Sequence, residues 1–451
     1  MHIDLTQGDI KVQLKKLAVP ASVGFFFHTM YNVTDTYFAG LISTQALSAL
    51  TLSFSIFFMM IAVAGGMSEA VTALVGNALG EKNREKAVHI ALNALLFALI
   101  LSLVLTIIGV VSTPYLMMLL GAKGAYLEES LAYINVILYG SAFFVFSFFI
   151  NALLNAVGDT VSFRNILIVS SLLNIVLDYW FVMGGLGIDP LGVSGIAFAT
   201  VITEFITVIY LFYKLNKTPL LDTYREFSLD RSVFKAFITQ GFPPSVNMIM
   251  MATGIFIMTY FAAPFGQEVI AAFGIGMRIE QIILMPAIGL NVAVLAIVSQ
   301  NNGARQFERI EKTRKISLYY GAIISFTGML VLLVGAEQLM HFFSDDRKVI
   351  EAGSLYLRVE AFILFSFVVI FVHLALLQGI EKPAFIFYIS IFRQIIAPIL
   401  MLSLLTFFGL GVFWIWVSIA LIVTFSAFVT WRYSRQKLTE VSKCQGEGNR
   451  N

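Results

Sequence analysis

The stretch LKKLAVPASVGFFFHTMYNVTDTYFAG, residues 14–40, decides how the rest of the chain is read. It exceeds the ~20 apolar residues that cross a bilayer as a helix, yet it is no passive anchor. Pro20 lies inside it, where a missing backbone donor and a crowded preceding turn favour a bend. Asp35 follows with no cation nearby in sequence. On a helix Gly24, His28, Asn32 and Asp35 fall on one stripe, at spacings of four, four and three. The first crossing thus carries a polar seam and an acid that is costly in lipid, and such an acid marks a functional site by default.

The composition agrees with a membrane setting. Of 451 residues, 59% are hydrophobic and only 12% charged, with 42 phenylalanines, which is far more apolar surface than a soluble domain buries. The single cysteine, Cys444, excludes an intrachain disulfide and a thiolate metal cluster. The apolar runs do not alternate over the ~10 residues of a barrel strand, so they are helices. Twelve are expected: 14–40, 47–75, 87–111, 127–150, 162–182, 191–212, 237–262, 270–298, 316–334, 355–377, 385–407 and 412–431.

Of the 29 Lys and Arg residues, 23 fall on one side of this arrangement: both termini and the 2–3, 4–5, 6–7, 8–9 and 10–11 connections. The opposite side carries only Lys123, Arg347 and Lys348. The positive-inside bias makes both termini cytoplasmic. The basic runs are topology signals, so no nucleic-acid partner is expected. Trp180, Trp414, Trp416 and Trp431 lie near helix ends, as interface anchors do.

The chain also repeats itself at a shift of 223 positions. VPASV at 19–23 meets FPPSV at 242–246, TYFAG at 36–40 meets TYFAA at 259–263, and ALLNAVG at 152–158 meets ALLQGIE at 375–381. Each copy holds six crossings, an even number, so both enter the membrane the same way round. The expected organisation is an all-α, two-lobe protein: an N-lobe at 1–213, a cytoplasmic linker at 214–235, a C-lobe at 236–432 and a polar tail at 433–451. Two such lobes suit a rocking, alternating-access carrier.

The repeat supplies an internal control, because a structural need of the lobe appears twice. Pro20 meets Pro243 and passes as structural. Asp35 meets Met258. Asn174 and Asp178, one helical turn apart in SSLLNIVLDYWFV, meet Ala397 and Met401, or Ile396 and Leu400 in a slipped register. Two carboxylates and an amide therefore belong to one lobe only. Brought together out of water, they can hold a proton near neutral pH. They can equally coordinate a hard cation through oxygens, with a hydroxyl such as that of Thr200 completing the shell.

The two-lobe repeat, the acid in NVTDTYFAG, the ALLNAVGDT turn and the NIVLD motif together resemble the MATE multidrug and toxin extrusion transporters, most of all the DinF-type bacterial branch. The resemblance covers the whole chain. It implies that Asp35, Asn174, Asp178 and Thr200 form an N-lobe cation site and that His28, Tyr133 and Asn151 line the adjoining drug pocket. It also implies that the first helix bends at Pro20 and Gly24 when Asp35 is protonated. NorM-type members carry an acid on the seventh helix, and residues 237–262 hold none, although Glu360 remains on the tenth.

In the C-lobe, Arg278, Glu280 and Arg393 lie in apolar runs and are expected to pair with one another. His373 reads as a hydrogen-bonded interior histidine. The phosphate-loop, H-E-x-x-H and C-x-x-C signatures are absent, so no enzyme is expected. The expectation is a monomeric multidrug antiporter of the bacterial inner membrane. It would export amphipathic, cationic drugs against inward protons, with no cofactor or resident metal. A sodium-coupled exporter using Asp35, Asn174 and Asp178 as ligands and a flippase for lipid-linked precursors are the alternatives.

Overall fold

The computed structural model describes residues 4–185, 187–221 and 228–447. Part of the expected linker and the side chain of Cys444 lie outside them. The chain folds into helices α1 (Ile10–Ile42), α2 (Thr44–Gly80), α3 (Arg84–Leu119), α4 (Ala125–Tyr139), α5 (Ser141–Ala156), α6 (Val161–Met183), α7 (Val193–Leu215), α8 (Arg231–Ala262), α9 (Gln267–Gly303), α10 (Phe307–His341), α11 (Arg347–Glu360), α12 (Leu364–Gly379), α13 (Ala384–Ile391), α14 (Ala397–Phe407) and α15 (Val412–Glu447). A single π-helical turn, Phe392–Ile396, joins α13 to α14. Among the described residues nine helical stretches, α13 with α14 counted as one, are long and apolar enough to cross a membrane, the bent pairs α4–α5 and α11–α12 bring the number to eleven, and α1 is the twelfth helix of the expected set. The last helix runs on to Glu447, through most of the stretch expected to be a polar tail.

Local chemistry sets several of these boundaries. Ser43 and Asn83 cap α2 and α3 by accepting the amides of Ala46 (2.9 Å) and Lys86 (3.0 Å), each satisfying one of a helix's unpaired N-terminal donors. The fourth and tenth crossings both break, by 46° between α4 and α5 and by 52° between α11 and α12. The breaks occupy equivalent places in the repeat, at Gly140 and at Ala361–Ile363. Gly140 has a packing reason as well: a Cβ there would lie 2.6 Å from Val201 of α7.

The contacts divide the chain into two compact units, one holding Val23–Ser245 and the other Leu5–Ser22 together with the chain from Val246 onward. The divisions fall inside α1 and α8, at equivalent residues of the repeat, rather than in the connections. Each of these helices therefore gives its first part to one unit and its remainder to the other. In the first unit the beginning of α8 presses on α2, and a methyl group at Gly66 would overlap the Ser245 backbone. In the second unit the beginning of α1 presses on α9, and a methyl group at Gly289 would overlap Ser22 and the Ala18 carbonyl. Both serines turn their hydroxyls onto their own helix, Ser22 to Ala18 O (2.8 Å) and Ser245 to Gly241 O (2.9 Å). This small-residue close approach is how helices without a hydrophobic driving force gain contact in lipid.

The segments leading into the two shared helices are tied down in matching fashion. Asn301 and Arg309 donate to the Leu5 carbonyl (3.0 and 3.2 Å), and Gln300 accepts the Leu5 amide. In the other unit Asn93 donates to the Ser228 carbonyl (3.2 Å) and accepts the Asp230 amide. Ser232, through its hydroxyl and amide, and His89 at 3.2 Å hold Asp230 at about 2, below the usual carboxylate range.

One expectation about the tryptophans fails. Trp416 is fully buried, stacked on Phe273 at 5.5 Å and edge-on to Tyr356 at 5.0 Å, so it is core rather than an interface anchor. Trp414 is the exposed member of that pair.

The Gly66–Ser245 contact leaves no room for a side chain. Gly66→Val is expected to destabilise the folded protein by about 1–3 kcal/mol, the usual cost of overpacking, read as a lower midpoint of thermal unfolding in detergent. An unchanged midpoint would show that the two helices are free to separate there.

Candidate functional site

Four helices of the first unit bring the predicted polar residues together. Asp35 comes from α1, Tyr133 from α4, Asn174 and Asp178 from α6, and Thr200 from α7. All are buried, Asn174 and Asp178 completely and Asp35 to within 5%. Asn174 and Asp178 share a face because they are four residues apart on α6. Thr200 faces α1 from α7, donating its hydroxyl to Asp35 Oδ2 at 3.2 Å while also reaching Ile196 O at 3.1 Å. Asp178, Asn174 and Tyr133 all face Asp35.

What the cluster lacks is as informative. The other Asp35 oxygen, both Asp178 oxygens and both polar atoms of Asn174 are buried without a hydrogen-bond partner. Among the described residues no lysine or arginine forms an ion pair with either carboxylate. Two carboxylates so placed cannot both carry charge without a counter-charge between them. The orphaned acceptors fit two guests: a proton shared by the acids, or a small hard cation bound by oxygens alone. The repeat sharpens the point, since residues 396–398 are Ile, Ala and Pro and residues 400–402 are Leu, Met and Leu. In any register the second unit has nothing equivalent.

The residues predicted to line a neighbouring pocket separate into two places. Tyr133 belongs with the acids. His28 instead stands one turn below Tyr31 on α1, with its ring 6.3 Å from Phe148 of α5. Asn151, one turn further along α5, has its buried side-chain oxygen unpartnered. Gly24 packs on α6, where an added Cβ would meet Arg164 Cα at 3.5 Å. Pro20 is buried within an uninterrupted α1, two residues before the division between units.

A further acid was passed over in the sequence. Glu204 lies one turn beyond Thr200 on α7, 5% exposed, with one carboxylate oxygen unpartnered. It is the lone charge in GIAFATVITEFITVIYLFY, and the reasoning applied to Asp35 would have found it.

In the second unit Glu280 and Arg393 lie within electrostatic reach of each other, while Arg278 stands apart from them. Arg278 lies on the exposed face of α9. Among the described residues Arg278, Glu280 and Arg393 form no salt bridge with one another. Glu280 accepts the Tyr356 hydroxyl at 2.8 Å instead. A period of 3.6 residues explains the error, because positions 278 and 280 point to different sides of α9. Arg393 is buried in the π-turn, and Glu360 is buried with both oxygens unpartnered. His373 is fully buried, its Nδ1 2.6 Å from the Val369 carbonyl.

Comparison with known proteins places this arrangement. The MatE family model matches twice, over residues 20–180 and 243–402, which are the two copies of the repeat. A Thermotoga maritima protein called probable multidrug resistance protein NorM is 26% identical over 420 residues, covering 91% of this chain and 89% of the relative. A Shewanella oneidensis FAD transporter is 24% identical, covering 77% of each chain. A crystal structure of a MATE protein in complex with MaL6 superposes with a TM-score of 0.91 at 25% identity, covering 98% of this chain and 99% of the other. A structure of the outward-facing conformation of a multidrug resistance MATE family transporter matches equally well, at 0.91 and 25% over 98% and 99%. With both halves matched by the family model and the fold shared end to end, the chain belongs to the MatE family of membrane transporters.

Proposed function

We propose that this protein is a drug exporter of the bacterial inner membrane, with cytoplasmic termini, that expels amphipathic cationic compounds in exchange for inward protons. One observation carries the reading: Asp35 and Asp178 face one another, buried and without a cation, in only one of two otherwise repeated units. Multidrug relatives such as the NorM protein of Thermotoga support the substrate class. The acids of the first unit favour a cation over an anionic substrate, and few basic residues lie in the helices, which disfavours a lipid-precursor flippase.

The cycle follows from charge. Without a proton, the acid pair is anionic and stabilises a cationic drug near His28 and Asn151. Protonation removes that charge and rearranges the hydrogen bonds holding α1 beside Thr200. The helix then yields at Pro20 and Gly24, the pocket shrinks, and the drug leaves. Export requires that drug affinity differ between the two protonation states, since a guest with equal affinity for both shifts nothing.

The oxygen-only donor set gives sodium a specific claim as the second reading, with Asp35, Asn174, Asp178 and Thr200 as ligands. The Mechanism is otherwise the same, because a bound cation neutralises the same charge.

Asp35→Asn cannot change charge. It is expected to reduce drug resistance to that of cells lacking the transporter, at normal membrane levels. Full resistance in that variant would overturn the cycle. In everted vesicles, drug uptake is expected to follow an imposed pH gradient and to be indifferent to sodium. Uptake that needs sodium and survives collapse of the pH gradient would assign the site to the metal.

A further inference from the structure

Beneath the Asp35 cluster lies a second polar layer that the cycle above does not use. Each of three helices steps four residues in the same direction: from Asp35 to Tyr31 on α1, from Asn174 to Ser170 on α6, and from Thr200 to Glu204 on α7. Four residues are about 6 Å of helix, so the steps reach one common depth. Tyr31 faces Glu204, Ser170, Thr203 and Asp35. Ser147 of α5 faces the Glu204 carboxyl. Thr203 turns its hydroxyl to the Thr200 carbonyl at 2.9 Å, and Ser170 meets Thr207 at 3.0 Å. The Tyr31 hydroxyl and one Glu204 oxygen are buried with no hydrogen-bond partner.

The groups set directly against Tyr31 and Glu204 are hydroxyls and carboxyls. The helices packed against α7 offer Ser170 and Thr207 between α6 and α7, Ser147 and Asn151 from α5, and Tyr133 from α4. From α1 come Tyr31, His28 and Asp35. Among the described residues no lysine or arginine forms an ion pair with Glu204. The repeat again separates need from function, since Glu204 meets Ala427 and Tyr31 meets Gly254. The lobe folds without this acid in its other copy. A buried carboxyl with no cation is tolerated as the protonated acid, which costs far less than an isolated buried charge.

We propose that Glu204 is a second proton carrier of the first unit, joined to the Asp35 pair through Tyr31 and the Thr200–Thr203 turn, so that each transport cycle moves a second proton. The inference rests on the proton-coupled reading above. The deeper layer lies toward the cytoplasmic end of α1 and α7 in that reading. Glu204 releases its own proton toward His28, and its charge state is felt at Asp35 across Tyr31, which faces both acids. No bond other than O–H forms or breaks: the Asp35 pair and Glu204 each give up one proton to water, so two protons leave per cycle.

The test is the number of protons released per drug bound by purified protein in weakly buffered detergent solution without sodium. Wild type is expected to release about twice as many protons as Glu204→Gln, and Asp35→Asn to retain part of the signal. Glu204→Asp, which keeps an acid on a shorter arm, is expected to restore the release and to shift the infrared carbonyl band of the protonated acid. Equal release by wild type and Glu204→Gln overturns the second carrier while leaving the Asp35 cycle standing. Weakened binding of cationic drugs alone, with proton number unchanged, makes Glu204 a drug counter-charge instead. No release from wild type overturns both readings. If Glu204→Gln does not fold, the Asp variant and its band decide the question.

Discussion

The site turns on two carboxylates held out of water with nothing positive between them. Such a pair is expensive, and lipid-embedded helices carry it only where the cost has a use. Here the surrounding helices hold the pair in place without neutralising it. One threonine hydroxyl reaches Asp35, while the Asp178 oxygens and the Asn174 amide are left open. An arrangement that invites a guest is what coupling requires: the same side chains must be at rest with a proton or cation and change their contacts without one.

The scaffold explains how a local change can have long reach. Both units use the same devices: a broken helix and a serine pressed onto a glycine in matching places, and an asparagine, drawn from non-equivalent helices, gripping the segment before a shared helix. The grouping of Asp35, Asn174 and Asp178, however, is present once. The helix that bears Asp35 begins at Ile10 in the second unit, passes Pro20 and continues from Val23 in the first. On the proposed reading, a charge change at Asp35 acts on an element common to both units. The glycine contacts at Gly66 and Gly289 keep the shared helices packed closely against α2 and α9, each within its own unit.

Much of this was legible in the sequence, for identifiable reasons. Crossing number and helix type follow from apolar run length, and the repeat from short matched motifs. The grouping of Asp35, Asn174, Asp178 and Thr200 was anticipated because acids in apolar runs have few tolerable places. Three things were not legible. The division of the units inside α1 and α8 leaves no trace in composition, since the chain stays helical across it. Tyr133 and His28 were taken as neighbours, although they stand at different depths, because separation between helices is invisible in one dimension. Arg278 was grouped with Glu280 and Arg393 because charges in apolar runs are costly, but positions 278 and 280 point to different sides of α9 and Arg278 is exposed. Glu204 was visible and was overlooked, one turn from a residue already chosen.

The most direct measurement of the central claim is the proton balance of drug binding itself. Purified protein in weakly buffered solution, free of sodium, is titrated with a cationic drug while pH is followed. Proton release that falls when both Asp35 and Asp178 are replaced by asparagine, leaving no more than the share assigned to Glu204, is the predicted result. Drug binding with no release from the native protein would contradict the account.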